Sequence, residues 1–249
     1  MVLCASITGG ANAAELAVVI DDVGYHSSRT DRLLALPGPI TLAVLPYAPH
    51  SRHVALNAAA HNKEVILHQP MEAHPSPWVR LERGTLLSSM ADAELTRQFE
   101  ASLNAVPNLA GVSNHTGSLL TAHPHAMQLV MQVVKARELF FLDSRTTAET
   151  VALSTARAAA IPAIRRDVFL DHVIERQAIH AAFQKSLRLA RKRGRALVIA
   201  HPYELSISYL ERALAELPGD VRLVTAGALA RSAYPGTPAP RQIAAFPHK

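Results

Sequence analysis

Carboxylate, imidazole and guanidinium side chains occur directly after several short apolar runs of this 249-residue chain. The runs have the length and composition of buried strands. In chain order, the polar groups that follow them are Asp21 and Asp22, His68 and Glu72, His115, Asp143, Arg165 with Arg166 and Asp167, and His201. In parallel α/β folds the carboxyl ends of the strands form the edge that carries the active site. We therefore expect these side chains to converge.

Two of the histidines, together with one aspartate, have the composition of a metal site. His68, His115 and either Asp21 or Asp22 would supply two nitrogens and one carboxylate, a set that binds Zn²⁺ or another divalent first-row ion. Such an ion lowers the pKa of a bound water toward about 7 and polarises a carbonyl oxygen, as hydrolysis of an amide or ester requires.

The adjacent aspartates can divide these tasks. Side chains of neighbouring strand residues start on opposite faces, so one of Asp21 and Asp22 can bind metal while the other acts as a general base. An alternative interpretation is a turn, in which Gly24 supplies a positive φ.

The remaining polar groups have more than one possible role. His201 follows a buried run and is placed for proton transfer or as a third metal ligand. Asp143 and Asp167 can orient a histidine or neutralise an arginine, and Arg165 or Arg166 can hold a carboxylate or a developing oxyanion. The alternative for these four residues is an ordinary ion pair at the mouth of the fold.

Apolar strand-like runs alternate with helical segments along the chain, which indicates a parallel α/β architecture. The predicted strands are residues 16–20, 40–45, 64–67, 111–113, 139–142, 161–164, 196–200 and 221–224. The predicted helices are residues 28–36, 51–61, 91–105, 124–136, 147–159, 175–193 and 205–217. Seven or eight strand–helix units favour a closed barrel, and an open doubly wound sheet is the alternative. A long polar connection spans residues 68–90 and is typical of a functional loop.

Composition restricts the class of protein. A hydrophobic content of 49% with 18% charged residues excludes a disordered chain and a collagen. The net charge of +5 raises the question of nucleic acid, but aromatic residues make up only 5%, and the main basic cluster, at residues 188–195, lies where a helix is predicted to end. We therefore predict no nucleic-acid partner. Because no apolar stretch approaches about 18 residues, we also predict no transmembrane helix.

The two ends of the chain differ from its middle. Residues 1–13 contain a short apolar stretch and the pattern Ala11-Asn12-Ala13, which is typical of the end of an export signal, although no Lys or Arg precedes it. We predict an exported, periplasmic protein with a single domain at residues 14–231. Residues 232–249 are rich in proline and are predicted to form a flexible tail. Cys4 is the only cysteine, which excludes an internal disulfide framework.

Taken together, these motifs resemble the divergent polysaccharide deacetylase family of bacterial envelopes, which is related to metal-dependent polysaccharide deacetylases of the carbohydrate esterase type. The resemblance covers residues 16–230. Its motifs are Ile20-Asp21-Asp22-Val23-Gly24, Leu67-His68-Gln69-Pro70-Met71-Glu72, Asn114-His115-Thr116-Gly117-Ser118, Leu142-Asp143-Ser144 and Ala200-His201-Pro202. It implies an irregular (β/α) barrel and a divalent ion, expected to be Zn²⁺. The implied activity is removal of acetyl groups from an acetylated polysaccharide or oligosaccharide of the cell envelope.

The resemblance also implies roles for individual residues. Asp21 would be the base and Asp22 a metal ligand. His68 matches the first histidine of a His-x-x-x-His metal motif, whereas Glu72 stands at the position of the second. A carboxylate can still bind metal, so Glu72 is expected to do so, or His115 to supply the missing imidazole.

Two further family motifs remain. The Leu-x-His motif resembles Ile199-Ala200-His201, which would make His201 the proton donor to the leaving amine. The Arg-x-Pro-Tyr motif has no match near residues 114–118, and Arg165 or Arg166 would replace its arginine. These departures leave an alternative in a different class: a catalytically weak or inactive envelope protein that binds glycan or a protein partner through the same cleft.

Overall fold

Parallel strands and α-helices alternate along the part of the chain that the structure describes, residues 13–76 and 80–234 of a computed structural model. The strands are β1 Ala14–Val23, β2 Thr41–Val44, β3 Glu64–Met71, β4 Gly111–Thr116, β5 Phe140–Asp143, β6 Ala163–Arg165, β7 Val168–Phe169, β8 Arg195–Ala200 and β9 Val221–Val224. The helices are α1 Ser27–Ala35, α2 Ser51–Asn57, α3 Asp92–Ala105, α4 Pro124–Ala136, α5 Ala152–Ala158, α6 Arg176–Arg193, α7 Glu204–Ala215 and α8 Ala226–Ser232. This alternation gives a single α/β domain.

The strands form one curled parallel sheet in the order β6-β5-β4-β3-β2-β1-β8-β7, with β9 paired to the first residues of β1. The two outer strands of this order, β6 and β7, follow each other in the chain. Between them, the Arg166 N–H donates to Asp143 O on β5 and the next N–H, of Asp167, donates to Leu197 O on β8. Two residues therefore join the edges of the sheet, and the predicted irregular (β/α) barrel is confirmed as a curled half-barrel.

Alternate residues of each strand face the barrel interior, as the two-residue repeat of a strand requires. Along β1, Ala17 and Val19 belong to the interior core, whereas Leu16, Val18 and Ile20 pack under the outer helices. The register continues this pattern across the sheet, since Val19 pairs with Ile199 of β8. Both faces of the strands are thus buried in apolar side chains, as is usual in parallel sheets.

Helix α8 follows β9 and covers the amino-terminal end of the barrel. Ala226, Leu229 and Ala230 on α8 are buried in the interior core together with Phe140 of β5. The Thr41 hydroxyl of β2 accepts a hydrogen bond from Ala226 N at 2.9 Å. The opposite, carboxyl-terminal end of the barrel carries the loops and the polar groups.

The main differences from the sequence prediction lie at strand ends. Strand β1 extends to Val23, β3 to Met71 and β4 to Thr116, so Asp21, Asp22, His68 and His115 lie inside strands that they were predicted to follow. The predicted helix at residues 147–159 begins only at Ala152, and α8 was not predicted. The ends of β1, β3 and β4 are extended because each pairs with a neighbouring strand. That pairing is a tertiary contact, which the local sequence does not reveal.

The predicted chain ends fall almost entirely outside the described residues. The export signal at residues 1–13 overlaps the described part only at residue 13, and α8 ends at Ser232, one residue into the predicted tail. Among the described residues, none of the helices is both long and apolar enough to span a membrane.

Candidate metal and catalytic site

Three strands bring a carboxylate and two imidazoles together at the carboxyl end of the barrel. The ligand atoms of Asp22, His68 and His115 all lie within 4.8 Å of one another. Asp22 Oδ1 is 2.8 Å from His115 Nδ1 and 3.3 Å from His68 Nε2. The two imidazole nitrogens are 3.2 Å apart. This grouping is the only one of its kind among the residues that the structure describes.

The position of each residue within its strand decides whether its side chain reaches this group. Asp21 continues the interior series of β1 that contains Ala17 and Val19, and His68 follows Ile66 on the interior face of β3. His115 lies beside Pro70 of β3 in the strand register, on the face that also carries His68. Asp21 and His68 therefore each lie two positions beyond an interior core residue of their own strand, whereas the face of His115 follows from its pairing with β3.

Asp22 would face outward by this rule, but a backbone irregularity redirects it. Its φ is 56°, in the left-handed region, and the pairing of β1 with β2 shifts register between Ile20 and Val23. A bulge of this kind inserts one residue and re-aims the side chains around it. As a result, Asp21 and Asp22 both face His68, at 3.6 and 3.3 Å from its Nε2, rather than lying on opposite faces as the sequence predicted.

Gly24 makes the turn after this bulge possible. Its φ is +130°, and an added Cβ would lie 2.7 Å from Ser51 Oγ and 2.9 Å from the Cβ of Ala48. Glycine is the residue that adopts such a backbone without strain. The two candidate aspartates and the turn glycine are therefore compatible parts of one motif.

The electrostatics of the cluster follow from the burial of opposite charges. Burial alone would raise the pKa of Asp22, but the adjacent imidazoles of His115 and His68 hold that pKa well below its usual range. Burial opposes the charged form of His115, yet the carboxylates of Asp22 and Glu82 raise its pKa to about 10. Asp21 is fully buried, and burial raises its pKa. The ionised Asp22 carboxylate is thus balanced by the protonated imidazole of His115, in the position that a bound cation would take.

His201 enters from β8, two residues beyond the interior Ile199. Its Nδ1 lies 2.9 Å from Asp171 Oδ1, and its Nε2 lies 3.9 Å from Asp22 Oδ2. Burial lowers the pKa of His201, but the hydrogen bond to Asp171 and the charge of Asp21 raise it overall. The ring of Phe169 stacks on the imidazole at 4.9 Å. His201 therefore presents Nε2 to the cluster, while the contact of Nδ1 with Asp171 fixes the orientation of the ring.

Asp171 is a site residue that the sequence analysis missed. Its side chain is buried and also accepts hydrogen bonds from His201 N and the Ser206 hydroxyl, both at 2.7 Å. A signal was available, because Asp171 follows the apolar run Val168-Phe169-Leu170 in the same way that Asp21 follows β1. The run is short, and the predictions placed no strand there.

Glu82 is a second site residue that was missed. It comes from the 68–90 connection, and its Oε1 lies 3.3 Å from His115 Nε2. The contact with His115 lowers the pKa of Glu82. No local sequence pattern marks this residue, since a loop has no periodicity from which a direction can be deduced.

The two candidate arginines at the end of β6, Arg165 and Arg166, have different surroundings. Arg165 is exposed on the outer face, in register with Asp143. Arg166 donates from Nε to Ser144 O at 2.7 Å and from Nη2 to Arg145 O at 2.9 Å. Burial lowers the pKa of Arg166, and the negative charges of Asp21 and Asp143 oppose that effect. Of the two, Arg166 is the one whose charge acts on Asp21.

Three other predicted site residues lie outside the cluster. Asp143 accepts hydrogen bonds from Arg145 N at 2.8 Å and the Thr150 hydroxyl at 3.1 Å, and burial raises its pKa. Its carboxylate therefore shapes the loop after β5.

The other two are Asp167 and Glu72. Asp167 pairs with Arg193 at 3.1 Å, at the end of α6 and so at the amino-terminal side of the sheet. Glu72 Oε2 accepts from the backbone N of Ser88 at 2.7 Å and from its hydroxyl at 2.6 Å. The structure places Glu72 in the anchoring of the loop rather than among the clustered ligand atoms, because β3 continues to Met71 and carries Glu72 past them.

Comparison with known proteins agrees with this architecture. The sequence model of the family described as divergent polysaccharide deacetylase matches residues 18–230. The uncharacterized protein YibQ of Escherichia coli K12 is 37% identical over 217 residues, which are 87% of this chain and 67% of that protein.

Solved structures are similar as well. A crystal structure of an uncharacterized protein from Agrobacterium tumefaciens superposes with a TM-score of 0.84 at 25% identity, covering 88% of this chain and 90% of that one. The peptidoglycan deacetylase PdaC of Bacillus subtilis shares the fold, with a TM-score of 0.52 at 15% identity over 89% of this chain and 93% of that one. Because the family's sequence model matches residues 18–230, the chain belongs to the divergent polysaccharide deacetylase family.

Proposed function

We propose that this protein is a metal-dependent hydrolase of the cell envelope that removes acetyl groups from a polysaccharide. The observation that carries the proposal is the convergence of His68, His115 and His201 on the Asp22 carboxylate, beside the buried carboxylate of Asp21. Membership of the deacetylase family supports the reaction class.

The donor set fits a small divalent ion. Asp22 Oδ1, His68 Nε2 and His115 Nδ1 are separated by 2.8, 3.2 and 3.3 Å. Ligands at about 2.0–2.2 Å from a tetrahedral Zn²⁺ lie roughly 3.4 Å apart, so small adjustments would accommodate the ion. Oδ1 of Asp21 is also buried without a hydrogen-bond donor among the described residues. A divalent ion bound here would polarise the acetyl carbonyl and lower the pKa of a water molecule.

Asp21 is the group placed to remove a proton from the attacking water. Its carboxylate is buried next to His68, and burial raises its pKa, which makes it a stronger base than an exposed aspartate. The cationic Arg166 favours the ionised form that a base requires.

His201 is the group placed to protonate the leaving amine. Asp171 accepts from Nδ1, so the imidazolium carries its second proton on Nε2, the nitrogen that faces the cluster. Asp171 raises the pKa of His201, which favours the protonated ring that a proton donor requires.

The proposal is tested with the purified protein on acetylated chitooligosaccharide in the presence of Zn²⁺, Co²⁺ or Mn²⁺, with released acetate and bound metal both measured. We expect close to one equivalent of ion. Asp22→Asn and His68→Ala should lose the ion and the activity. Asp21→Asn should keep the ion and lose activity by about 10²–10⁴-fold, as expected for a general base.

The matched control is Glu149→Gln, which changes an exposed carboxylate whose side-chain contact is with Thr147. It should retain both metal and turnover. If the parent protein binds the ion and glycan but releases no acetate, the binding-protein alternative is favoured. If Asp22→Asn and His68→Ala bind the ion as well as the parent does, the site is wrong.

A further inference from the structure

We propose that Glu82 is a positioning residue for the metal site, which orients His115 toward the ion, and that Tyr25 holds Glu82 in place. The inference rests on the proposed metal-dependent function. Glu82 Oε1 lies 3.3 Å from His115 Nε2, the nitrogen that faces away from Asp22. The Tyr25 hydroxyl donates to Glu82 Oε2 at 3.3 Å.

The protonation of His115 explains why a carboxylate is needed. A neutral imidazole carries one proton, and a ring nitrogen binds metal only through its free lone pair. Since Nδ1 of His115 lies among the ligand atoms, Nε2 must carry the proton and needs an acceptor. Glu82 supplies that acceptor. Carboxylates in this position fix the ring and increase the basicity of the ligand nitrogen.

His68 has the complementary arrangement. Its Nε2 lies among the ligand atoms, and its Nδ1 lies 2.8 Å from the buried Ser113 hydroxyl. In each imidazole of the cluster, the nitrogen that faces away from the ligand atoms therefore has its own partner. That partner is a neutral hydroxyl for His68 and a charged carboxylate for His115. The charged partner would have the greater influence on metal affinity.

Glu82 is held where it is by its own loop. Glu82 N donates to the Thr85 hydroxyl at 3.1 Å, and that hydroxyl donates back to Glu82 O at 2.7 Å. The next residue, Leu86, is buried, bridges to Met71 of β3 and donates its N–H to Pro70 O at 2.9 Å. The loop thus returns to the strand that carries His68, with Glu82 four residues before the point of attachment.

This arrangement gives the two acidic residues of the connection different tasks. Glu72, at the position of the second family histidine, is bound by Ser88. Glu82 instead reaches the imidazole that β4 supplies. In this chain, the connection after β3 therefore completes the site by supporting His115, rather than by contributing a ligand of its own.

The test measures Zn²⁺ affinity of the full chain by competition with a chromophoric chelator. Removing such an outer partner typically weakens metal binding by about 10–100-fold, which is the loss expected for Glu82→Ala. Glu82→Gln should give a smaller loss, because the amide oxygen still accepts from Nε2, and Tyr25→Phe a smaller one again. Glu149→Gln is the control and should bind as the parent does. The visible absorption spectrum of the Co²⁺-loaded protein should change in Glu82→Ala but not in Glu149→Gln.

The outcomes separate this inference from the proposed function. A parent protein that binds no ion would overturn both. A parent that binds the ion, with Glu82→Ala and Glu82→Gln binding equally tightly and an unaltered Co²⁺ spectrum, would overturn the inference alone. If circular dichroism shows that Glu82→Ala is unfolded, the isosteric Glu82→Gln and Tyr25→Phe decide the question.

Discussion

Asp171 fixes which nitrogen of His201 faces the site. It accepts a hydrogen bond from the backbone N–H of His201 and lies 2.9 Å from the ring Nδ1 of the same residue. A third hydrogen bond, from Ser206, leaves its carboxylate little freedom to move. A single buried side chain therefore fixes the orientation of the proposed proton donor and contributes to its raised pKa.

Replacing this aspartate should change the titration of His201. We expect Asp171→Asn to lower the pKa of His201, since burial then acts without the opposing hydrogen-bonded charge. The measurement is an NMR titration of the imidazole in metal-free protein. An unchanged His201 pKa in the variant would contradict the assigned pairing.

The raised pKa of His201 should make the stability of the folded protein depend on pH. Because the pKa of His201 is higher in the folded protein than in the unfolded chain, its contribution is fully present below about pH 6.5 and is lost as pH rises through the folded value. Urea unfolding at several pH values should therefore show the largest difference between parent and Asp171→Asn at pH 5–6. A difference that grows with pH would contradict this account.

At the scale of elements, the bulge in β1 is the feature that makes the two aspartates act at one site. A regular strand would send the Asp22 side chain outward, under the helices. The left-handed φ of Asp22 and the register shift against β2 avoid this, and the chain then turns at Gly24 against α2. The position of the proposed metal ligand Asp22 thus depends on backbone geometry as well as on residue type.

Gly24→Ala tests this dependence. The added Cβ would meet Ser51 and Ala48 in a backbone conformation that alanine rarely adopts, so we expect a loss of about 1–3 kcal/mol in the free energy of unfolding. The matched control is Gly219→Ala, where the new Cβ meets nothing within 4 Å, and it should stay within about 0.5 kcal/mol. Equal effects of the two substitutions in urea unfolding would contradict the strain argument.

At the scale of the whole molecule, a continuous apolar core fills the barrel beneath the polar site. Leu229 of α8 is fully buried in the interior cluster that also contains Val19 and Ile199. That cluster lies directly below the layer formed by Asp21 and His201, since the same strand faces carry both. Packing at the base therefore supports the positions of the proposed catalytic groups Asp21 and His201.

Leu229→Ala should destabilise the protein by about 2–5 kcal/mol, the range for a leucine removed from a packed core. Leu56→Ala, at a leucine on α2 that is 52% exposed, should change the free energy of unfolding by less than about 0.5 kcal/mol. Denaturant unfolding of both variants checks the expectation. A small effect at Leu229 would mean that α8 does not seal the barrel.

Much of the fold was readable from the sequence. Strand–helix alternation predicted the barrel, and most helices lie within a few residues of their predicted bounds. The short strand β7 and helix α8 were missed, because two to seven residues carry too little periodicity to identify an element without its neighbours.

The sequence by itself determined which residue types stand near the carboxyl ends of the strands, and so the candidates Asp21, His68, His115 and His201. Only the tertiary structure decided which candidates meet. The physical reason is that these strands are buried on both faces over most of their length, so no regular alternation of polar and apolar residues reveals which residues point inward. Arg166 rather than Arg165 lies on the interior side of the sheet. Because β3 continues to Met71, Glu72 lies beyond the clustered ligand atoms. Glu82 is brought to His115 by a loop that closes through space, a contact with no local signature in the chain.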